Sequence, residues 1–233
     1  MMTSVHGYFN MITETDMERY RAETFLTKEP ETIAWINDMK PGEVLYDVGA
    51  NVGVYTLYAA SRGVKVVAIE PVLENYVRLV RNIEANGFDK IVLPLYAAAG
   101  ACPWDDIFEM TTVSIDDNQA GASGAQAESK HGKIIRDIPV VPLGRIGHMC
   151  SLWPDHIKID VDGRERHVLQ GANIDDPKSY LIEINPPWSK GGAQRMLGRT
   201  FTTDNKYNTM TPHSRERRQR GGIAAENVIF TRR

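Results

Sequence analysis

From residue 44 the chain alternates short apolar runs with longer stretches of helical period. Val44-Leu45-Tyr46-Asp47-Val48 is an apolar run stopped by Gly49, and a helical stretch from about Gly53 to Ser61 follows it. Val64 to Ile69 is a second, β-branched run that ends at Glu70-Pro71. Leu73 to Ala85 then carries apolar residues at Leu73, Tyr76, Val77, Val80 and Ile83, a helical spacing closed by Asn86-Gly87. Ile91 to Tyr96 supplies a third strand, Ile157 to Ile159 a fourth and Tyr180 to Ile184 a fifth, with a helix from about Gly163 to Gln170 between the last two. Strands alternating with helices predict an α/β fold with a mostly parallel sheet. Parallel neighbours need crossover connections, and these lay helices on both faces.

The flanks depart from this rhythm. Residues 14–40 hold two helix-like stretches, the second opening at Pro30 and stopped by Pro41-Gly42, which predicts an N-terminal helical cover over residues 1–40. Residues 41–233 then form the main domain, the whole being a single domain. Residues 100–155 interrupt the alternation; they are expected to form an inserted β-hairpin, roughly 107–115 with 134–141, whose Gly/Ala/Ser-rich segment Ala120 to Ala127 lies in a mobile tip over 118–130. Phe201 and Val228-Ile229-Phe230 are expected to close the sheet as an antiparallel pair, with the basic run Arg215, Arg217, Arg218 and Arg220 between them.

Composition narrows the function classes. With 42% hydrophobic and 24% charged residues in 233, the chain can bury a substantial core. A net charge of −3 gives no global field for nucleic acid, so no such partner is expected. The two cysteines, Cys102 and Cys150, suggest neither a disulfide framework nor a metal site. The start of the chain lacks a signal-peptide pattern and no apolar run is long enough to span a bilayer, so the expected location is the cytoplasm.

The candidate chemistry sits where the first strand ends. Asp47-Val48-Gly49-Ala50-Asn51-Val52-Gly53 lies at a carboxyl strand end, where open α/β sheets bind ligands. Glycines allow a tight turn and close approach of backbone to ligand, and the amides opening the next helix can receive a carboxylate or phosphate. Glu70 ends the second strand, placed to take both ribose hydroxyls of an adenosine as paired hydrogen bonds. Only three residues separate Gly49 from Gly53, which lacks the G-x-G-x-x-G spacing and disfavours a dinucleotide.

These blocks resemble the FkbM-type methyltransferases. The likeness runs from about Glu29 to Ala172, with a weaker tail to Phe230. It is carried by Glu29-Pro30-Glu31-Thr32, Tyr46 to Gly53, Ala68-Ile69-Glu70-Pro71 with Glu74-Asn75, Asn82 to Gly87, Lys158-Ile159-Asp160-Val161-Asp162-Gly163 and Val168 to Ala172. The resemblance implies a Rossmann-like, seven-stranded methyltransferase fold, S-adenosylmethionine as donor, and a hydroxyl acceptor on a sugar or other small natural product. On this reading Asp47, Gly49, Ala50, Asn51, Gly53, Glu70, Pro71 and Glu29 bind the donor. The chain departs from the family where Leu143-Gly144-Arg145-Ile146 replaces a Leu-Asp-Asp-Leu stretch, and where Asp162 stands for Glu and Arg164 for a small residue.

Asp160, His156 and Glu183 are the candidate catalytic residues, as titratable groups near the fourth and fifth strands, and His167 is a further titratable group there. Asp160 is placed to position the acceptor, hold the methionine amine or bind a divalent metal, although no metal site is indicated. Asp162 with Glu165 resembles a helix N-capping pair. Two other functions fit the same residues. One is a non-catalytic adenosine-ligand-binding or regulatory protein. The other is an amino methyltransferase using Asn185-Pro186-Pro187-Trp188, whose place after the fifth strand instead of the fourth argues against it.

Overall fold

The computed structural model describes residues 1–101, 112–116, 135–172, 177–185, 187–207 and 225–233. The expected mobile tip, the basic run and Pro186 lie outside the described residues.

A hairpin opens the chain: β1 (Met2–Val5) pairs antiparallel with β2 (Phe9–Ile12) across a turn in which His6 and Gly7 both have positive φ. Three helices follow, α1 (Asp16–Glu23), α2 (Phe25–Lys28) and α3 (Pro30–Asn37). Thr15 and Glu18 form a capping box that starts α1, and Pro30 opens α3, where its missing N–H costs nothing. The cover therefore contains a hairpin and three helices where the sequence reading expected two helical stretches.

The core unit runs β3 (Val44–Val48), α4 (Val54–Ser61), β4 (Lys65–Ile69), α5 (Leu73–Asn86) and β5 (Val92–Leu95). Beyond it come β6 (Ala98–Ala99), β7 (Thr112–Asp116), β8 (Ile135–Val141), α6 (Leu143–Cys150) and β9 (His156–Ile159). The chain closes with α7 (Glu165–Gln170), β10 (Ser179–Ile184), α8 (Lys190–Leu197), β11 (Phe201–Thr203) and β12 (Glu226–Arg232).

The main sheet has seven strands in the order β11-β12-β10-β9-β3-β4-β5. All its neighbours are parallel except β12, which runs antiparallel to both β10 and β11. This is the Rossmann-like, seven-stranded architecture that the resemblance implied, and Phe201 and Val228 to Phe230 close it as the expected antiparallel pair. The inserted hairpin is present as β7 against β8, and β6 adds to it in parallel, which the alternation of residues did not signal.

Period-two alternation sorts the strand residues onto two covered faces. Leu45, Val66, Ala68, Leu181 and Ile229 join one core with α4, α5 and residues of the N-terminal cover such as Val5, Phe9 and Phe25. Tyr46, Val48, Val67, Ile157, Ile159 and Ile182 join the other, under α6, α7 and α8. The sequence pattern misplaced one detail of α5: Val77 is exposed, and the buried stripe is Leu79 and Ile83 with the polar residues Asn75 and Asn82.

Candidate functional site

The sheet changes direction of winding at β3, which has β4 on one side and β9 on the other. Loops leaving such neighbours part and open a crevice at the carboxyl ends of the strands. The loop after β3 lies there. Gly49 has φ +84°, and a Cβ on it would stand 1.9 Å from the carbonyl oxygen of Asp160, so only glycine lets the loop pass the end of β9. A Cβ on Gly53, φ +94°, would stand 2.5 Å from a methyl of Leu79 in α5. Between them Asn51 adopts φ +54° without being glycine, a conformation the surroundings must hold in place.

They do so with hydrogen bonds. Gly49 N and Ala50 N donate to the carbonyl of Ile69 at 2.9 and 3.1 Å. Asn51 N donates to Glu70 Oε2 at 2.7 Å, while Glu70 Oε1 accepts from Val72 N at 2.9 Å and from Asn75 Nδ2 at 3.4 Å. Glu70 is buried, and burial pushes its carboxyl up to about 7. The geometry makes Glu70 the clamp of the loop. Glu70, Pro71 and Gly53 adjoin the loop without being among the residues that line the cleft.

The cleft is open to solvent and spans about 580 Å³ including its mouth. Asp47, Gly49, Ala50 and Asn51 line it from β3 and its loop, Lys158 and Asp160 from β9, Glu183 from β10 and Glu29 from the cover. The register explains the assembly. Asp47 is opposite Lys158, and Ile159 opposite Ile182, so the carboxylates of the next positions, Asp160 and Glu183, emerge side by side.

Lys158 is buried beneath them, 2.9 Å from Asp160 Oδ2, 3.8 Å from Asp47 Oδ1 and 5.3 Å from the centre of the Tyr55 ring. Burial opposes its charge, but Asp160, Asp47 and Glu29 together hold it above the ordinary lysine range. Asp160 shows the reverse balance. Burial pushes its carboxyl up, yet the Lys158 charge and hydrogen bonds from Lys158 and Glu183 bring it below the usual range. The negative charge of Asp160, with burial behind it, drives Glu183 up to about 9. The two carboxyls therefore titrate as a coupled pair whose directions are opposed, Asp160 favoured in its charged form and Glu183 in its neutral one, while Asn185 Nδ2 donates to Glu183 at 2.9 Å. Asp47 is also pushed up by burial; Thr56 Oγ1 donates to its Oδ2 at 2.6 Å, and its Oδ1 is buried with no hydrogen-bond donor. Glu29 accepts from Thr32, Asn227 and Lys28 at 3.2, 3.2 and 2.9 Å.

His156 is not brought to this cleft. It starts β9, at the amino ends of the strands opposite the cleft, with Nδ1 2.7 Å from Ser179 Oγ and Nε2 3.1 Å from Glu43 Oε2. His167 is exposed on α7, also outside the cleft lining. The capping expectation for Asp162 is corrected. Gly163, φ +101°, delays the helix, Arg164 becomes its N-cap residue, and Glu165 instead accepts from Gly163 N at 2.9 Å. Asp162, φ +51°, lines the cleft. The altered stretch Leu143 to Ile146 opens α6, with Leu143 and Ile146 in the core. Asn185 orients Glu183 and Glu165. Among the described residues no three or more His, Cys, Asp or Glu are grouped to hold a metal, and no helix is long and apolar enough to cross a membrane.

Arg21, Lys28, Val54, Tyr55 and Lys158 also line the cleft and had no role in the sequence reading. Lys158 carried a signal: a lysine between two isoleucines of a buried strand must face a compensating charge. The others reach the cleft only because α1, α2 and α4 pack together over it, which no local pattern announces.

No curated protein matches the chain. Its fold is similar to that of magnesium protoporphyrin IX methyltransferase from Synechocystis, solved with S-adenosylmethionine bound, at 11% identity over 95% of this chain and 86% of that one, TM-score 0.53. A TehB-like S-adenosylmethionine-dependent methyltransferase from Corynebacterium glutamicum matches at 12% identity over 92% and 94%, TM-score 0.48. A protein of Pyrococcus horikoshii assigned as a transferase matches at 15% over 87% of this chain, which spans 62% of its length, TM-score 0.47. The model of the methyltransferase FkbM domain matches residues 47–215, from the aspartate before the glycine loop through the strands that bear the cleft, and the chain belongs to that family.

Proposed function

We propose that the protein transfers the methyl group of S-adenosylmethionine to a hydroxyl of a sugar or another small natural-product acceptor. The observation that carries this reading is the carboxylate of Asp160, 2.9 Å from the buried Lys158 ammonium and beside Glu183, within the cleft that Gly49, Ala50 and Asn51 also line.

The donor fits the lining. With Glu183 held toward its neutral form, the four other acids, Glu29, Asp47, Asp160 and Asp162, still outnumber the three cations, Arg21, Lys28 and Lys158, a balance that favours a sulfonium and an ammonium. The buried Asp47 Oδ1 lacks a hydrogen-bond donor, which an ammonium would supply. On this reading Asp47 and Glu29 hold the methionine end, Gly49, Ala50, Asn51 and Gly53 shape the loop around the donor, and Glu70, backed by Pro71, serves the ribose with the lone pairs its amide partners leave free. The donor supplies a methyl carbon activated by the adjoining sulfonium.

Lys158 keeps Asp160 ionised, and Glu183 orients it. The acceptor oxygen forms its bond to the methyl carbon as the carbon–sulfur bond breaks, and the hydroxyl proton passes to Asp160. In-line holding of the two reactants supplies much of the acceleration. The test is turnover of methyl-labelled donor with matched alcohols, sugars and amines, the product being located by NMR. Methylated oxygen is expected. Methylation of amines alone would replace the reading with an amino methyltransferase, and tight donor binding without transfer to any acceptor would replace it with the non-catalytic one.

A further inference from the structure

The Asn82 to Gly87 block has no part in the chemistry above, yet Asn82 is fully buried on α5. Its side chain makes two bonds that join distant segments. Nδ2 donates to the carbonyl of Val52, inside the donor loop, at 2.9 Å, and Oδ1 accepts from the backbone N of Ile12, in β2, at 2.9 Å. Only one orientation of the amide serves both partners. One turn further along, Asn86 Oδ1 accepts from Asn10 N at 2.7 Å and its Nδ2 donates to Asn10 O at 2.7 Å.

The spacing makes this possible. Residues four apart on a helix rise about 6 Å, close to the roughly 6.8 Å between alternate residues of a strand. The two asparagines therefore stand in for a third strand along the free edge of β2, and satisfy its backbone groups from a helix. Beyond its own helix, where Nδ2 also donates to Asn82 O at 2.7 Å, Asn86 bonds the hairpin and not the loop, whereas Asn82 grips both. The hairpin is continuous with the cover, whose Arg21, Lys28 and Glu29 line the cleft, and Arg78 of α5 pairs with Glu14 and Glu18 at its start, at 2.7 and 2.9 Å.

We propose that Asn82 is a positioning residue that couples the donor loop to the N-terminal hairpin, so that filling the loop orders the cover and ordering the cover strengthens donor binding. Linkage makes the two effects reciprocal. The inference rests on the donor-binding reading of the loop, and its test separates the two. S-adenosylhomocysteine is titrated calorimetrically into the full-length protein, and backbone hydrogen exchange is followed with and without it. In the wild type, ligand should slow exchange in residues 9–12 as well as in the loop. Asn82→Ala should bind about tenfold more weakly and lose the ligand effect on the hairpin. Asn86→Ala should loosen the hairpin while affinity stays within about twofold of wild type, a contrast that general destabilisation would not produce.

Asn82→Asp keeps the acceptor for Ile12 N and loses the donor to Val52 O. It should retain hairpin protection and still lose affinity, and it serves if the alanine variant fails to fold. Failure of the wild type to bind S-adenosylhomocysteine would remove the donor reading alone. Ligand-free exchange then decides on Asn82: faster exchange in both loop and hairpin on Asn82→Ala, against the hairpin only on Asn86→Ala, supports the coupling. Wild-type affinity in a folded Asn82→Ala variant, or identical exchange patterns in the two alanine variants, would overturn it.

Discussion

The two ends of β9 and β10 carry charged clusters of similar composition and opposite character. At the amino ends His156 lies between Ser179 and Glu43, Trp35 Nε1 donates to Ser179 Oγ at 2.8 Å, and Lys178 stands 2.7 Å from both Glu43 and Asp155. Each group there has a complementary partner. Burial pushes Glu43 up, but Lys178, the backbone N of Lys40 and His156 outweigh it and bring the carboxyl down to about 2. At the carboxyl ends the acids outnumber the cations, Glu183 is driven up to about 9 by its neighbour, and Asp47 keeps a buried oxygen without a donor. A folded chain tends to resolve such conflicts, so one that persists in a cleft marks a site kept for a ligand or a reaction. The contrast teaches that residue type along these strands does not separate structural from chemical roles; the completeness of each group's partners does.

The sharpest way to break the comparison is Asp160→Asn. It removes the carboxylate proposed as the base and leaves shape and most of the fold, so turnover should fall by roughly a hundredfold or more with donor affinity largely kept. Single-turnover methyl transfer measured beside calorimetric donor binding checks this. Turnover close to wild type would place the proton acceptor elsewhere.

Glu183→Gln should act less on neutral-pH turnover, because glutamine still donates to Asp160, and more on pH dependence. The native carboxyl keeps its proton up to about 9, whereas an unperturbed glutamate releases it near 4.5. Between those values the native state binds more protons than the unfolded chain, so this group makes stability fall as pH rises through the window. Denaturant unfolding at several pH values should show that decline in the wild type and a flatter profile in the variant, with any bend of turnover near pH 9 also lost. An unchanged profile would contradict the coupled pair.

The smallest effect on turnover is expected from His156→Ala at the satisfied end. It deletes two hydrogen bonds and a ring contact with Trp35, and should cost on the order of 2 kcal/mol of stability while turnover of the folded protein stays at the wild-type level. Thermal unfolding and turnover measured on the same sample check both halves. A large loss of turnover without loss of stability would erase the distinction between the two ends.

Much of this was legible along the chain. The apolar runs at 44–48, 64–69, 157–159 and 180–184 became neighbouring strands because burial on both faces leaves a continuous apolar signature. Asp47, Gly49, Asn51, Asp160 and Glu183, picked out along the chain by their place at strand ends, line one cleft because parallel strands bring those ends together. The stripe of α5 was misread at Val77 because periodicity counts apolar residues and passes over buried asparagines that satisfy backbone groups.

By itself, then, the sequence determined the order of strands and helices, the glycine loop and the family, since these depend on local period and on short blocks of residues. The tertiary structure decided which charges meet. Strand register set Lys158 beside Asp47 and under Asp160, sent His156 to the opposite strand ends although it is only four residues from Asp160, and turned Asp162 from a cap into the cleft wall. Those outcomes depend on pairings between residues distant in the chain, which a local pattern does not encode.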